Sequence, residues 1–339
     1  MPPSLRFLLL CGVVLLTGSR GLAQDRVTYV PEGQTRPVIA VGDITNLTGS
    51  ELFLKGFNSV QRIPIDAVSH IETTYQPEHL QGEAQFHSGK TAEAQVSLRK
   101  ALDKENREWI DREILALLVQ CSLRENDLQG AIRDFRFLLT SDPVTRHWNI
   151  APLAWTPTVV SESLRQQLRP WLDPGSSPAD QLLAGSLLLT DPAAGKAAEE
   201  CLLRLNRDTH PIYSSYSKAQ LWRIEIAKVN VSEISLQRWR DLIDSLPRSA
   251  RPGPQYLLSR GHDVRGELRL AAAEALWIPY DYPDNELLSA RALFDAAEAL
   301  ERSELRTESQ TCLAELMQRY PWSREAGIAR NRIPSLPRE

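Results

Sequence analysis

The sequence predicts a mainly α-helical protein: a stack of helical hairpins (an α-solenoid) preceded by a small β-barrel-like module. Near Pro77 the spacing of apolar residues changes from alternating runs to helical periodicity. Beyond that point the pattern repeats, because 37 positions separate the helix break at Gly89 from the break at Asn126. The chain has 339 residues, 42% of them hydrophobic and 24% charged, which is ordinary usage for a globular protein with a sizeable core.

Residues 1–23 have the pattern of a signal peptide. Arg6 precedes an apolar run from Phe7 to Leu16, and small residues at Gly21 and Ala23 predict cleavage before Gln24. The run is shorter than the roughly 20 apolar residues of a spanning helix, although an uncleaved anchor is the alternative. We therefore expect an exported protein, periplasmic or secreted, with no stable membrane span after cleavage.

Residues 24–36 are expected to form an extended linker, and residues 37–75 the small β module. The linker is broken by Pro31 and Gly33, whereas the module alternates short apolar runs with turn residues. The expected strands are Val38–Val41, Asp43–Leu47, Glu51–Leu54, Gln61–Ile65 and Val68–Ile71. This pattern of Gly42-Asp43-Ile44, Leu47-Thr48-Gly49-Ser50, Leu52, Leu54, Ile63-Pro64, Asp66, Val68 and Ile71 resembles the Sm-like and SH3-like small barrels.

Residues 77–143 contain two helical hairpins whose small and apolar positions coincide. In the first hairpin these positions are Gly82, Gly89, Ala94, Leu98 and Ala101. In the second they are Leu115, Leu118, Asn126, Ala131, Phe135, Leu138 and Pro143. Both hairpins resemble the tetratricopeptide repeat, a family that stacks such units into a curved solenoid with a concave binding groove.

A third unit, residues 290–321, resembles the same family. It matches at Leu293, Ala296, Ala297, Leu300, Leu313, Leu316 and Pro321, but Ser309 stands where the family has Ala. We expect residues 144–180 to form a proline-rich connection with a helix over 159–172. Residues 181–333 should be degenerate hairpins. We expect a hairpin over 182–205, helices over 217–228, 235–245, 264–277 and 285–302, and an interruption over 247–261.

Motifs of catalysis are absent from the sequence. It contains no G-x-S-x-G, H-E-x-x-H, Walker or G-x-G-x-x-G pattern. His79 and His87 share a predicted helix, but no cysteine or carboxylate completes a metal set, so solvated surface histidines are the better interpretation. Three cysteines follow residue 23, in helical patterns that predict buried thiols: Cys121, Cys201 and Cys312. We expect no catalytic residue, metal or cofactor.

The chemistry of the sequence favours a partner that is another protein or a peptide. Net charge is −4 without a long basic run, which argues against binding to nucleic acid. The hypothesis is a non-catalytic scaffold or adaptor in the exported space. The alternative is an enzyme of unknown class, or an accessory subunit of an envelope enzyme complex. A cleft with convergent polar groups and shifted pKa values, for example around His79 and His87, would favour that alternative.

Two candidate partner sites follow from the pattern. The first is the groove of the 77–143 hairpins, where polar residues lie between the packing positions of the first helices. Its residues are Glu83, Gln85, His87, Glu113 and Gln120. The alternative is a loop-like aromatic run over 277–283, with Trp277, Tyr280 and Tyr282 as contact residues. The sequence does not specify the partner or the oligomeric state.

Overall fold

The computed structural model describes residues 24–332. They form a five-stranded antiparallel sheet followed by fourteen α-helices, which confirms the predicted mainly α fold with an N-terminal β module. The predicted signal peptide, residues 1–23, lies outside the described residues.

The sheet has the strand order β4-β3-β2-β1-β5, with every neighbouring pair antiparallel. The strands are β1 (Asp25–Tyr29), β2 (Val38–Leu47), β3 (Glu51–Lys55), β4 (Val60–Pro64) and β5 (Val68–Glu72). The prediction of a linker over 24–36 is wrong in part, because β1 lies within it and pairs with both β2 and β5. Two predicted strands are joined in β2, where a register shift lies between Ile44 and Asn46.

The β module shares its core with the first helices. Val27 and Leu52, both fully buried, belong to the same apolar cluster as Phe86 and Trp109. The Trp109 indole donates a hydrogen bond to the carbonyl of Ile44 at 3.1 Å. Since the apolar face of a small sheet must be covered by another element, the helices fix the module in place.

The helices pair as hairpins along most of the chain. They are α1 (Pro77–His87), α2 (Thr91–Lys104), α3 (Glu108–Arg124), α4 (Leu128–Ser141), α5 (Glu162–Leu168), α6 (Pro178–Leu188), α7 (Gly195–Leu205), α8 (Pro211–Ala227), α9 (Glu233–Ser245), α10 (Pro252–Val264), α11 (Leu268–Asp281), α12 (Glu286–Arg302), α13 (Arg306–Arg319) and α14 (Arg324–Arg332). Each hairpin joins two consecutive helices: α1–α2, α3–α4, α6–α7, α10–α11 and α12–α13. A sixth and looser pair, α8–α9, meets through the stacked rings of Trp222 and Trp239, 4.6 Å apart.

Five of these six helix pairs turn through the same backbone geometry. One residue in each turn has a positive φ, at Gly89, Asn126, Val229, Gly266 and Glu304. The next residue donates its N–H to the carbonyl five positions earlier, as from Lys90 to Gln85 at 2.9 Å. This is the hydrogen bond of a Schellman motif, which satisfies the carbonyls at a helix end. The hairpins therefore repeat in backbone as well as in sequence, while their assignment as tetratricopeptide repeats stays a prediction.

The predicted interruption over 247–261 is wrong, because α10 occupies most of it. Pro252 stands at the first position of α10, where proline fits a helix and loses no hydrogen bond. The helix is tightly packed: Gly253 lies against the Trp155 ring, and Gly261 lies against Trp239. Pro252 therefore marks the start of a helix and not an interruption.

The aromatic run over 277–283 is mostly helical, so its prediction as a loop is also wrong. Residues up to Asp281 belong to the last turns of α11, with Pro279 inside the helix. The N–H of Tyr282 still closes the helix end on the carbonyl of Ile278 at 2.9 Å. One missing donor in a final turn is compatible with a helix that continues for two more residues.

The proline-rich connection over 144–180 is part of the core. Its helix α5 is shorter than the predicted 159–172 and continues as a 3-10 helix, Arg169–Leu172. Trp148 is buried edge-on against Phe135, Tyr213 and Tyr216, at ring distances between 5.5 and 5.8 Å. The connection therefore fills the space between α4 and α8.

The last helices return to the first hairpin. The Arg124 side chain is 2% exposed and forms an ion pair with Glu286 at the start of α12. Its guanidinium lies 3.4 Å from the centre of the Phe86 ring and 3.9 Å from that of Trp322. This buried cation joins the two ends of the hairpin stack. We call this arrangement the closure of the stack.

Replacing Gly253 with Ala should destabilise the protein by about 1–3 kcal/mol, because the new methyl group would overlap the Trp155 ring in a packed core. Gly327→Ala in α14 is the matched control, since nothing lies near its Cβ position. The control should be neutral or slightly stabilising, because Ala favours a helix over Gly. Urea unfolding of both variants measures the difference, and equal effects would contradict the packing argument.

Replacing Arg124 with Met should lower the free energy of unfolding by about 2 kcal/mol, because Glu286 would lose its cation in a largely buried site. Met keeps much of the apolar contact with both rings. Arg269→Met is the control: Arg269 is exposed and makes no ion pair within residues 24–332, so its effect should stay within about 0.5 kcal/mol. Similar losses in the two variants would show that the Arg124 cation does not stabilise the closure.

Candidate binding cavity

A cavity of about 600 Å³ lies between the β module, the first two hairpins and the segment that leads from α9 to α12. The β module contributes Gly49, Ile65 and Asp66. Helices α1 and α3 contribute most of one wall, and residues 281–284 form part of the wall across from them. The volume lies within the range of ordinary ligand pockets.

Two predicted sites meet in this cavity. Glu83, Glu113 and Gln120 of the predicted groove line it together with Tyr282 of the alternative site. The 37-residue offset that separates the turns also separates Glu83 from Gln120. Equivalent positions on α1 and α3 therefore face the same space, and Tyr282 reaches it from the far end of the stack.

The other predicted residues lie elsewhere. Gln85 accepts a hydrogen bond from the Ser97 hydroxyl at 2.8 Å, so it joins α1 to α2. His87 is exposed and its Nδ1 lies 3.4 Å from Glu286. Trp277 and Tyr280 are half-exposed on α11, and the Tyr280 hydroxyl donates to Glu315 at 2.6 Å. These four side chains do not line the cavity.

Glu113 is held by two basic side chains within the cavity wall. Its carboxylate lies 2.8 Å from Arg146 and 3.2 Å from Nε2 of His147. Burial alone would raise the pKa of Glu113, but His147 and Arg146 outweigh it and lower that pKa to about 2. The ion pair fastens the 144–150 segment to α3, so this carboxylate has a structural role in the wall.

His79 is buried in the wall, which corrects its interpretation as a surface histidine. The residue is 4% exposed, its Nδ1 has no hydrogen-bond partner, and its ring lies 4.7 Å from that of Tyr75. Burial lowers the pKa of His79, which keeps the imidazole neutral at pH 7. Burial, followed by the charges of Glu113 and Glu83, raises the pKa of Tyr75.

The charges that line the cavity are mostly negative. Five carboxylates face two guanidinium groups: Asp66, Glu83, Glu113, Asp281 and Asp284 against Arg146 and Arg248. Within residues 24–332, Glu113 is paired, whereas Asp66, Glu83, Asp281 and Asp284 take part in no ion pair. Low-dielectric walls concentrate such a field, so the cavity attracts cations.

The cavity meets part of the condition stated for an enzyme, since it combines convergent polar groups with shifted pKa values. It brings His79 to Glu83 and Glu113, but not to His87. No group of three potential metal ligands occurs within residues 24–332. The three cysteines after residue 23 are buried, and burial raises the pKa of Cys121 to about 12 and that of Cys201 and Cys312 to about 11. These thiols are therefore poor nucleophiles.

A second, more open cavity of about 870 Å³ lies between α4, α5 and α6. Phe137 is 60% exposed beside it, and the Arg136 guanidinium lies 4.6 Å from the centre of the Trp171 ring. Sequence reasoning missed this cavity. Its one signal is Phe137, a large apolar residue on the polar side of an amphipathic helix.

No protein-family model matches the chain, and no curated protein matches its sequence. Between residues 24 and 332, no helix combines the length and the apolar composition needed to cross a bilayer.

Replacing Glu113 with Gln should lower the free energy of unfolding by about 2 kcal/mol at pH 7, because Arg146 and His147 lose their shared anion. The pKa of Glu113 is depressed in the folded state, so its contribution is full above about pH 4.5 and disappears as the pH falls towards about 2. Urea unfolding at several pH values should therefore show wild type and variant converging in acid. The exposed Glu93→Gln should give a flat difference, and a pH-independent loss in Glu113→Gln would contradict this role.

Proposed function

We propose that this protein is a non-catalytic scaffold or adaptor that holds a segment of a partner protein in the cavity. One observation carries the proposal: polar side chains from two successive hairpins and from the end of α11 converge on a single space. Side chains at such positions would pack against neighbours if the hairpins served only to build a core. Hairpin stacks commonly bind peptides through the groove that their curvature creates.

The geometry of the free polar groups supports a peptide as the ligand. Glu83 and Gln120 lie at equivalent positions of α1 and α3, and both line the cavity. A carboxylate and an amide spaced along one face can hydrogen-bond an extended backbone at successive points. The closed stack and the β module hold these groups in place, which limits the entropy lost on binding.

The exported location is part of the proposal. It depends on the signal-peptide pattern of residues 1–23, including the apolar run from Phe7 to Leu16. The expected partner is therefore a protein of the periplasm or of the extracellular space.

Catalysis is the second candidate, and one observation favours it. The neutral His79 lies in the same cavity as Glu83, and a second histidine, His147, pairs with Glu113. A neutral imidazole beside a carboxylate is suited to general acid–base chemistry. Against this, Nδ1 of His79 has no hydrogen-bond partner within residues 24–332, so it holds no hydroxyl or thiol that it would activate.

A photo-crosslinking amino acid in place of Gln120 should yield discrete covalent products with a partner protein in cells of the source organism. The same amino acid in place of Glu93 is the control, because Glu93 is exposed on α2 and does not line the cavity. Mass spectrometry of the products identifies the partner. Equal crosslinking at both positions, or none at Gln120, would overturn the assignment of the cavity as the partner site.

A further inference from the structure

We propose that the segment bound in the cavity is basic, and that one of its Lys or Arg side chains enters between Tyr75, His79 and Glu83. This inference rests on the proposed function and adds the chemistry of the partner. The three residues are close together: the rings of Tyr75 and His79 are 4.7 Å apart, and Glu83 follows His79 by one helical turn.

The charge of the cavity is the first argument. Four of its five carboxylates form no ion pair within residues 24–332, and the two arginines that line it are already engaged. Arg146 pairs with Glu113, and Arg248 donates to the carbonyl of Asp281 at 2.7 Å. A cationic side chain would pair with the unmatched carboxylates, whereas an acidic segment would be repelled.

The hydrogen-bonding state of His79 is an independent argument. The residue is 4% exposed, yet its Nδ1 has no partner and its ring lines the cavity. A buried polar group without a partner is destabilising, so such a group is usually completed by a water, an ion or a ligand. A neutral imidazole has one nitrogen that accepts a hydrogen bond, and the ammonium or guanidinium group has only donors.

The aromatic ring of Tyr75 completes the cation site. A cation held against a tyrosine face is stabilised by the ring quadrupole, more strongly when water is excluded. Together, Tyr75, His79 and Glu83 offer a π face, a nitrogen acceptor and a free carboxylate. All three favour a cation, and none supplies the fixed positive charge that an anion requires.

The size and remaining lining of the cavity favour a peptide over an isolated metal ion. About 600 Å³ accommodates several residues of a chain, and the described residues contain no group of three metal ligands. Gln120 and Ser249 line the cavity as well and provide neutral polar groups for a peptide backbone. The cation site therefore lies within a larger space that accepts the segment carrying it.

A positional-scanning array of nine-residue peptides, probed with the protein from residue 24 onward, tests the inference. Lys and Arg should be enriched at one central position. Fluorescence anisotropy with the most enriched peptide should then show a roughly tenfold weaker Kd for Glu83→Gln, and a smaller loss for Tyr75→Leu. Glu93→Gln should bind as the wild type does. Glu83 makes no ion pair within residues 24–332, so its variant should melt at the wild-type temperature.

The outcomes separate this inference from the proposed function. If the array selects acidic or apolar peptides while Gln120 crosslinks a partner, the cavity is a partner site and the basic segment is wrong. If basic peptides bind but Glu83→Gln and Glu93→Gln weaken them equally, the cation site is not in the cavity. If the array selects nothing and Gln120 does not crosslink, both proposals fail.

Discussion

The closed arrangement of the helices depends on one buried cation. Arg124 is enclosed by the rings of Phe86 and Trp322, and its charge is balanced by Glu286, which is 162 positions away in sequence. A guanidinium so far from water is tolerable only with a counterion and hydrogen bonds, and it also donates to the carbonyl of Phe86 at 2.6 Å. Closure therefore requires α12 to begin beside α3. Just before α12, the Asn285 side chain donates to the carbonyl of Asn149 at 2.7 Å, and Tyr282 of the same segment lines the cavity.

The β module is held to the helices by contacts of a similar kind. Arg112 of α3 donates to the carbonyl of Leu47 at 2.9 Å and also contacts the side chain of Asn46. At the turn after β2, the N–H of Gly49 is bound by Asp142 at 2.9 Å. These polar contacts join the sheet to the ends of α3 and α4 in one orientation, where an apolar contact alone would permit sliding. The module is thus a fixed wall of the cavity.

Local signals in the sequence predict the hairpins well and the closure not at all. The helices over 77–143 follow from apolar periodicity and small residues, because neighbouring helices bury each other. Strand β1 was missed because its five residues become a strand by pairing with β2 and with β5, which lies far along the chain. Helix α10 was missed because residues 247–261 were interpreted as an interruption. The sequence predicted residues of the cavity but assigned them to two alternative sites, Glu83 to one and Tyr282 to the other. Tertiary contacts bring these two residues together, and no local sequence pattern indicates such contacts.

Two carboxylates of the cavity show what a ligand must supply. Glu113 has its partners within the chain, since His147 and Arg146 hold its pKa at about 2 although burial opposes the charge. Glu83 faces the same cavity from α1 and has no such partner within the described residues. The charge of Glu113 is therefore balanced within the free protein, whereas the charge of Glu83 has no positive partner among the described residues. The first hairpin, which carries Glu83, therefore favours a cationic ligand. A basic side chain of a bound segment would provide that cation.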